Sequence, residues 1–134
     1  MSASAELQKL VLDTLHATPA VTALIGTRIY DTVPKGAVQP YVSFGPVDIV
    51  EDGADCIASG EHTLQLDVWS RAVGKVEAKR IVDAIKKALH NRQLTMQNNA
   101  LVEMSVDFRS VIGDPDGLTS HGIVRVTALI EEHD

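Results

Sequence analysis

The side chains best suited to chemistry lie in the segment GDPDGLTSHG, residues 113–122, where two aspartates precede a histidine. Asp114, Asp116 and His121 would supply the hard oxygen and nitrogen ligands that the divalent cation of a nuclease needs. The same residues also suit a turn, because proline fixes φ, aspartate caps its own backbone and glycine accepts a positive φ. We interpret the segment as a turn and keep a small metal-dependent hydrolase as the rival hypothesis.

Two further patterns fall short of the motifs they suggest. The Gly74-Lys75 pair opens a helical segment, but Trp69 and Val76 occupy the positions where a phosphate-binding loop needs a glycine and a hydroxyl. Cys56 lies among acidic residues, which disfavour a thiolate, and the serines lack the G-x-S-x-G pattern of a nucleophile elbow. The sequence therefore indicates no catalytic set, no metal and no cofactor.

Length and charge limit the class of protein. The chain of 134 residues fits one domain, residues 1–134, which buries roughly two thirds of the surface that its unfolded chain exposes. A formal net charge of −6 argues against a broad nucleic-acid-binding surface. No apolar run approaches the roughly 20 residues that span a bilayer, and no secretion signal opens the chain. We expect a soluble protein of a reducing compartment, without a membrane partner.

Hydrophobic periodicity predicts two helices and four strands. The first helix covers residues 5–17, capped by Ser4, and Pro19 ends or turns the chain after it. The second helix follows Gly74 and turns one apolar stripe toward a sheet. The stripe contains Ala78, Ile81, Val82, Ile85, Ala88 and Leu89. The order helix, strand, strand, helix, strand, strand predicts an α+β fold, a four-stranded, mainly antiparallel sheet with two helices packed on one face.

Alternation within the strands predicts which side chains are buried. Pro46 implies an edge position or a bulge in the first strand. Trp69 falls on the face opposite the core, where a local loop covers it or a partner shares it. Ile123 and Leu129 point to the same second face. The residues expected to alternate toward the core are Leu64, Leu66, Val68, Val102, Met104, Val106, Phe108, Val124, Val126, Ala128 and Ile130.

Three stretches, taken together, carry a resemblance to a known family. VTALIGTRIYDTVPKGAVQPYVSFGPV (residues 21–47), LQLDVWSRAVGKVEAKRIVDAIKKAL (64–89) and DPDGLTSHGIVRVTALIEE (114–132) follow one another in this order. Their order and spacing resemble the tail terminator (tail completion) proteins of long-tailed bacteriophages and of gene transfer agents. The resemblance covers nearly the whole chain. None of its hallmarks is a catalytic motif, so its specificity lies in their combination.

The resemblance implies a structural virion protein, not an enzyme. Such a subunit forms a homohexameric ring that caps the finished tail tube, stops its growth and joins it to the head-side connector. The implied partners are other copies of the chain, the tail tube protein and a head-side connector or stopper protein, while DNA passes through the ring without specific binding. The ring lies at the head-proximal end of the tail and assembles in the bacterial cytoplasm. The alternative within the same resemblance is another head–tail neck protein, a stopper or an adaptor.

Two groups of residues are expected to serve such an assembly. The candidate subunit or tube interface comprises Trp69, Asp114, Asp116, Gly117 and Leu118. The connection that holds the last four is longer than a hairpin requires, and we expect it to be mobile before assembly. The candidate lining of the DNA channel is the acidic loop with Glu51, Asp52 and Asp55, because negative charge repels phosphate.

Overall fold

The computed structural model describes residues 2–53 and 57–133, so that Asp55 and Cys56 lie outside the described residues. These residues form three α-helices and five β-strands. In chain order they are α1 (Ala3–His16), α2 (Pro19–Ile25), β1 (Ile29–Tyr30), β2 (Tyr41–Glu51), β3 (Ser59–Ser70), α3 (Val76–Leu89), β4 (Ala100–Gly113) and β5 (Ser120–Glu131). The predicted α+β class is confirmed, with one helix and one strand more than the sequence indicated.

The additional helix is α2, which Pro19 begins. Proline suits the first position of a helix, because the N–H that it lacks has no partner there. Pro19 thus ends α1 and opens a second helix, where the sequence indicated only a stop or a turn. The start of α1 was also predicted too late, since Ser2, not Ser4, is its N-cap and accepts a hydrogen bond from the Ala5 N–H at 3.2 Å.

The sheet has the strand order β1-β2-β3-β5-β4. All neighbouring strands are antiparallel except β1 and β2, which are parallel and pair only at Ile29 with Val42 and at Tyr30 with Ser43. A strand of two residues gives too short an alternation to be read from sequence, which is why β1 was not predicted. The last strand along the chain, β5, lies in the interior of the sheet between β3 and β4.

One face of the sheet is covered by helices and forms the core. The predicted stripe of α3 is buried and packs on strands β3, β4 and β5. Gly122 in β5 marks the close approach of the two layers, because a Cβ atom there would lie 2.7 Å from Cγ2 of Val82. The opposite face of the sheet has no helix over it in the described part of the chain, and we call it the open face.

Bulges change the alternation of two strands. The β2 register shifts between Phe44 and Val47, around Pro46, as that proline predicted. The register of β4 against β5 shifts twice, once near Val102 and again before Phe108. The prediction that Val102 and Phe108 face the core was wrong, because Val102 lies in the first bulge itself and the second bulge turns Phe108 to the open face, opposite Arg125. Both residues are exposed.

A buried carboxylate holds the segment before β4 against α1. Glu6 accepts hydrogen bonds from the backbone N–H groups of Gln97, Asn98 and Asn99 and from the Asn99 side-chain amide, all between 2.9 and 3.2 Å. Burial by itself would raise the pKa of Glu6, but these hydrogen bonds together hold it below its ordinary value of 4.5. The ionised carboxylate is therefore part of the contact between α1 and the segment before β4.

Candidate assembly surface

Trp69 lies on the open face, as the alternation predicted, and it has partners within its own subunit. Its indole stacks on the imidazole of His121, with ring centroids 4.0 Å apart and planes 10° apart. Its Nε1–H donates to Oγ of Ser43, on the neighbouring strand β2, at 3.1 Å. The side chain is half-buried in this arrangement. These contacts support the interpretation that Trp69 is covered locally, and they leave part of the ring free for a partner.

A polar group of side chains adjoins Trp69. Asp67 Oδ1 lies 2.7 Å from His121 Nε2 and accepts from the Gln65 side-chain amide at 2.9 Å. Gly45 makes room for this carboxylate, since a Cβ atom at position 45 would lie 2.6 Å from Asp67 Oδ2. We name Ser43, Gln65, Asp67, Trp69 and His121 the open-face cluster. It ties β2, β3 and β5 together on the open face.

The candidate interface loop, Asp114 to Thr119, is closed by its own hydrogen bonds. The Asp114 N–H donates to the Thr119 carbonyl at 2.8 Å, and the Asp116 carboxylate accepts from the N–H groups of Leu118 and Thr119. The Thr119 hydroxyl, then these N–H groups, lower the pKa of Asp116, with a small contribution from the charge of Arg71. Gly117 adopts φ +73°, the left-handed conformation that a turn of this kind favours in glycine. The loop is a compact turn, and its mobility stays a prediction.

His121 lies apart from the two aspartates that the hydrolase hypothesis grouped with it. It contacts Trp69 and Asp67, while Asp116 is engaged in the turn. In residues 2–53 and 57–133, no three His, Cys, Asp or Glu side chains lie close enough together to hold a metal ion. The arrangement therefore supports the turn interpretation of this segment.

Leu118 projects from this loop beside the connection between β3 and α3. The two segments border a groove of about 610 Å³, with Arg71 and Lys75 on one side and Leu118 on the other. The Ser120 hydroxyl donates to the Gly74 carbonyl at 3.2 Å and links the two walls. Val73 in the same groove is fully exposed. This end of the sheet presents apolar side chains to the surroundings, next to two cations.

Glu51 and Asp52, two of the acidic residues proposed for the channel, lie at the end of the β2–β3 hairpin. Glu51 is the last residue of β2, and Asp52 follows it with an exposed side chain. Asp52 pairs with Ser59 across the hairpin: its N–H donates to the Ser59 carbonyl at 2.9 Å, and its carbonyl accepts from the Ser59 hydroxyl at 2.7 Å. Asp55, the third proposed residue, lies outside the described part of the chain.

The sequence did not indicate that both edges of the sheet carry exposed apolar side chains. At one edge are Val47, Ile49 and Val50, in the half of β2 beyond the bulge, and at the other are Val102, Phe108 and Ile112 of β4. Arg125 of the open face lies over the Phe108 ring, 4.5 Å from its centroid. The proline of β2 was the only local signal of irregularity. Exposed apolar edge strands mark surfaces that pair with another chain.

A family model described as "Tail completion protein gp17" matches residues 9–131, nearly the whole of the fold described above. The chain belongs to this family. The resemblance inferred from the three sequence stretches is thereby confirmed. The family consists of structural tail completion proteins, so the chain is a structural protein and not an enzyme.

Relatives of known identity agree with this assignment. The chain is 24% identical over 131 residues to the tail completion protein gp17 of Bacillus phage SPP1, with 98% of this chain and 96% of that protein covered. The solved structure of bacteriophage SPP1 gp17 has the same fold, with a TM-score of 0.63, 23% identity, and coverage of 94% of this chain and 89% of that one.

A chain in the solved virion of a native gene transfer agent particle is similar over its full extent. It superposes with a TM-score of 0.89 at 27% identity, and 96% of each chain is covered. The chain described here is accordingly a tail protein of a phage or gene-transfer-agent particle. No helix in the described ranges combines the length and apolar character needed to cross a membrane.

Proposed function

We propose that this chain is the subunit of a hexameric ring that caps the finished tail tube, stops its growth and joins it to the head-side connector or stopper. The observation that carries the proposal is the superposition on a chain of an intact gene transfer agent particle, at a TM-score of 0.89 over 96% of both chains. Because the match spans the sheet, the helices and the loops, it supports a place for this chain in the same kind of assembly.

The distribution of apolar side chains suits a ring. In a ring of identical subunits each interface joins two different surfaces of the chain, and closure fixes the number of copies. This chain has two such surfaces, one at each edge of its sheet, the first formed by the outer half of β2 and the second by β4. A dimer with twofold symmetry would use one surface twice and leave the other exposed.

The acidic end of the β2–β3 hairpin is the proposed lining of the channel. Six copies, each with a formal charge of −6, would surround the DNA with negative charge and keep its phosphates from binding during transit. Glu51 and Asp52 are exposed at this end, and Asp55 follows them in the chain. DNA then passes the ring without specific contacts.

The end of the sheet with Leu118 is the proposed contact with a neighbouring subunit or with the tail tube. The turn formed by Asp114, Asp116 and Gly117 holds Leu118 outward, beside the exposed Val73. Trp69 lies on the open face near this end, and its free ring surface is proposed to contribute to the same contact.

Imaging of assembled tails tests the proposal. In particles that carry a short tag after Asp134, we expect six labelled copies at the head-proximal end of each tail. Particles made without the chain should give tails of uncontrolled length that do not join heads. Label on the head side of the joint in heads that lack tails would indicate a stopper or adaptor instead. Any other copy number at the tail end contradicts the ring.

A further inference from the structure

Part of the outer edge of β4 is open and borders a groove. The Met104 carbonyl and the Val106 N–H on this edge are already engaged, by the Asn91 N–H and by Nδ1 of His90, both at 2.9 Å. Beyond them, no described strand pairs with the outer edge up to Gly113. A groove of about 490 Å³ lies here between the strand and α3, lined by Lys79, Val82, Asp83, Val106, Asp107, Phe108, Arg109, Ser110 and Val111.

The opposite edge of the sheet also has a segment without a neighbour on its outer side in the described chain. Strand β1 pairs with β2 only at Val42 and Ser43, so residues 47–51 have no neighbour on their outer side within the described chain. We call residues 47–51 the β2 arm. Val47 and Ile49 in this arm are 40% and 44% exposed although they point to the helix side of the sheet, because none of the described helices covers them.

We propose that the β2 arm of one copy adds to the open edge of β4 in the next copy and extends one sheet from subunit to subunit around the ring. The inference rests on the proposed ring and names the two surfaces that form its interface. Strand addition of this kind satisfies backbone N–H and carbonyl groups at both edges, and the side chains decide which segment fits. Strands β2 and β4 run in opposite directions within one sheet. The arm is level with residues 101–106 of β4 in the register, so copies whose strands are tilted to the ring axis bring it beside residues 107–113 and pair the two strands antiparallel.

The faces of the two segments match on the helix side. Val47 and Ile49 lie opposite Leu64 and His62 in the register, and directly opposite residues of an antiparallel pair share a face. In a sheet continued from one copy to the next, these two side chains enter the groove beside α3. They meet Val82 and Val111 there, together with the apolar stem of Lys79.

On the open face, the β2 arm and the β4 edge are complementary in charge. Asp48 and Val50 of the arm face this side, since they lie opposite Thr63 and Glu61. Phe108 and Arg125 lie on the same side at the β4 edge, with the guanidinium over the ring. Residues 36–70, which contain the arm, include no Lys or Arg. An acidic and apolar arm therefore meets an exposed aromatic ring and a cation.

A charge exchange tests the contact. Asp48→Arg places like charges together and should weaken ring assembly in completed tails by about tenfold or more, with no change in the unfolding midpoint of the isolated chain. Adding Arg125→Asp should restore assembly. The matched control is Asp31→Arg, an exposed aspartate in the loop after β1, which should assemble normally. Equal behaviour of Asp48→Arg and Asp31→Arg, or a double variant no better than Asp48→Arg, overturns the pairing.

Disulfide trapping in assembled tails gives an independent test. In chains with Cys56→Ser, Val50→Cys is mixed with Phe108→Cys, Ser110→Cys or Ile112→Cys, which are the open-face positions of β4 beyond Val106. We expect a covalent dimer from at least one mixture and from none of the variants alone, because the contact joins different surfaces. Sixfold rings in which no mixture cross-links would overturn the inference while leaving the proposed function intact. The absence of any ring in wild-type tails would contradict the proposed function itself.

Discussion

The imidazole of His121 lies flat on the indole of Trp69, with ring centroids 4.0 Å apart. The contact joins β5 to β3 on the open face, where Asp67 binds the imidazole and Ser43 binds the indole. A pair of this kind stabilises the subunit whether or not a partner also touches it.

Replacement of Trp69 separates its contribution to the stability of the subunit from any contribution to ring assembly. Trp69→Ala removes the stacked ring and the hydrogen bond to Ser43, and should lower the free energy of unfolding by about 2–3 kcal/mol. Trp69→Phe keeps a ring on His121 and should lower it by only about 1 kcal/mol. Urea unfolding of the isolated chain measures both. An unchanged midpoint for Trp69→Ala, accompanied by weakened ring assembly, would show that the indole acts at a subunit contact.

Glu6 should determine part of the acid stability of the domain. Its folded pKa is lowered, so its contribution is fully present above its ordinary value of 4.5 and is lost as the pH falls through the folded pKa. Glu6→Gln places an amide NH₂ among N–H donors and should lower the unfolding midpoint by several degrees at pH 7. Below pH 4.5 the difference from wild type should shrink. Glu103→Gln, an exposed carboxylate of β4, is the control, and an equal effect of the two substitutions would contradict this account.

His62 should also make the domain less stable as the pH falls, beginning at a higher pH than Glu6. It is fully buried in β3, and its two ring nitrogens have no hydrogen-bond partner among the described residues. Burial lowers its pKa, partly opposed by the charges of Glu132 and Glu51. As the pH falls below 6.5, the unfolded chain takes up a proton first, so stability decreases until the pH reaches the folded pKa.

His62→Leu should therefore stabilise the domain by about 1 kcal/mol at pH 7.5, because two unpaired polar atoms leave the core. The gain should increase toward pH 5.5. Thermal unfolding at several pH values measures it, with His16→Leu, an exposed histidine of α1, as control. A gain that does not vary with pH would show that His62 is protonated equally in the folded and unfolded chains.

A substitution of Leu118 tests the role of the loop in assembly without disturbing the fold. Its side chain is 71% exposed, so Leu118→Ser should leave the unfolding midpoint unchanged and lower the yield of tails joined to heads. Val38→Ser is a close match, since Val38 is 66% exposed in a different loop, between β1 and β2. Counting of joined particles by electron microscopy compares the two variants. Equal yields would show that the loop is only a connection.

The sequence predicted those parts of the fold that local patterns determine. Strands β3 and β5 alternate over most of their length, and the apolar stripe of α3 has helical spacing, so all three were found. The misplaced side chains of β4 have a definite cause. Val102 and Phe108 fit a strict alternation in the sequence, and the residue types around them give no sign of the two bulges.

The contacts that sequence reasoning missed join residues that are distant along the chain. Glu6 reads as an ordinary helix residue, but its partners lie 91 to 93 positions later. The exposure of Val47 and Ile49 could not be predicted either, because both are residue types of a buried strand and only the fold shows that the described helices leave them uncovered. Of the proposed site, the turn at Asp116 was predictable from its residues, while the groove beside α3 was not.

The position of β5 in the sheet also governs when the domain can fold during synthesis. When residues up to Gly113 have left the ribosome, β3 and β4 are both complete, yet the strand that must lie between them has not been made. Neither strand can pair with the other in the native order, and their apolar faces stay exposed in the meantime. The native sheet therefore closes only after the final strand emerges, and a ribosome that stalls within β5 releases a chain that cannot complete its core.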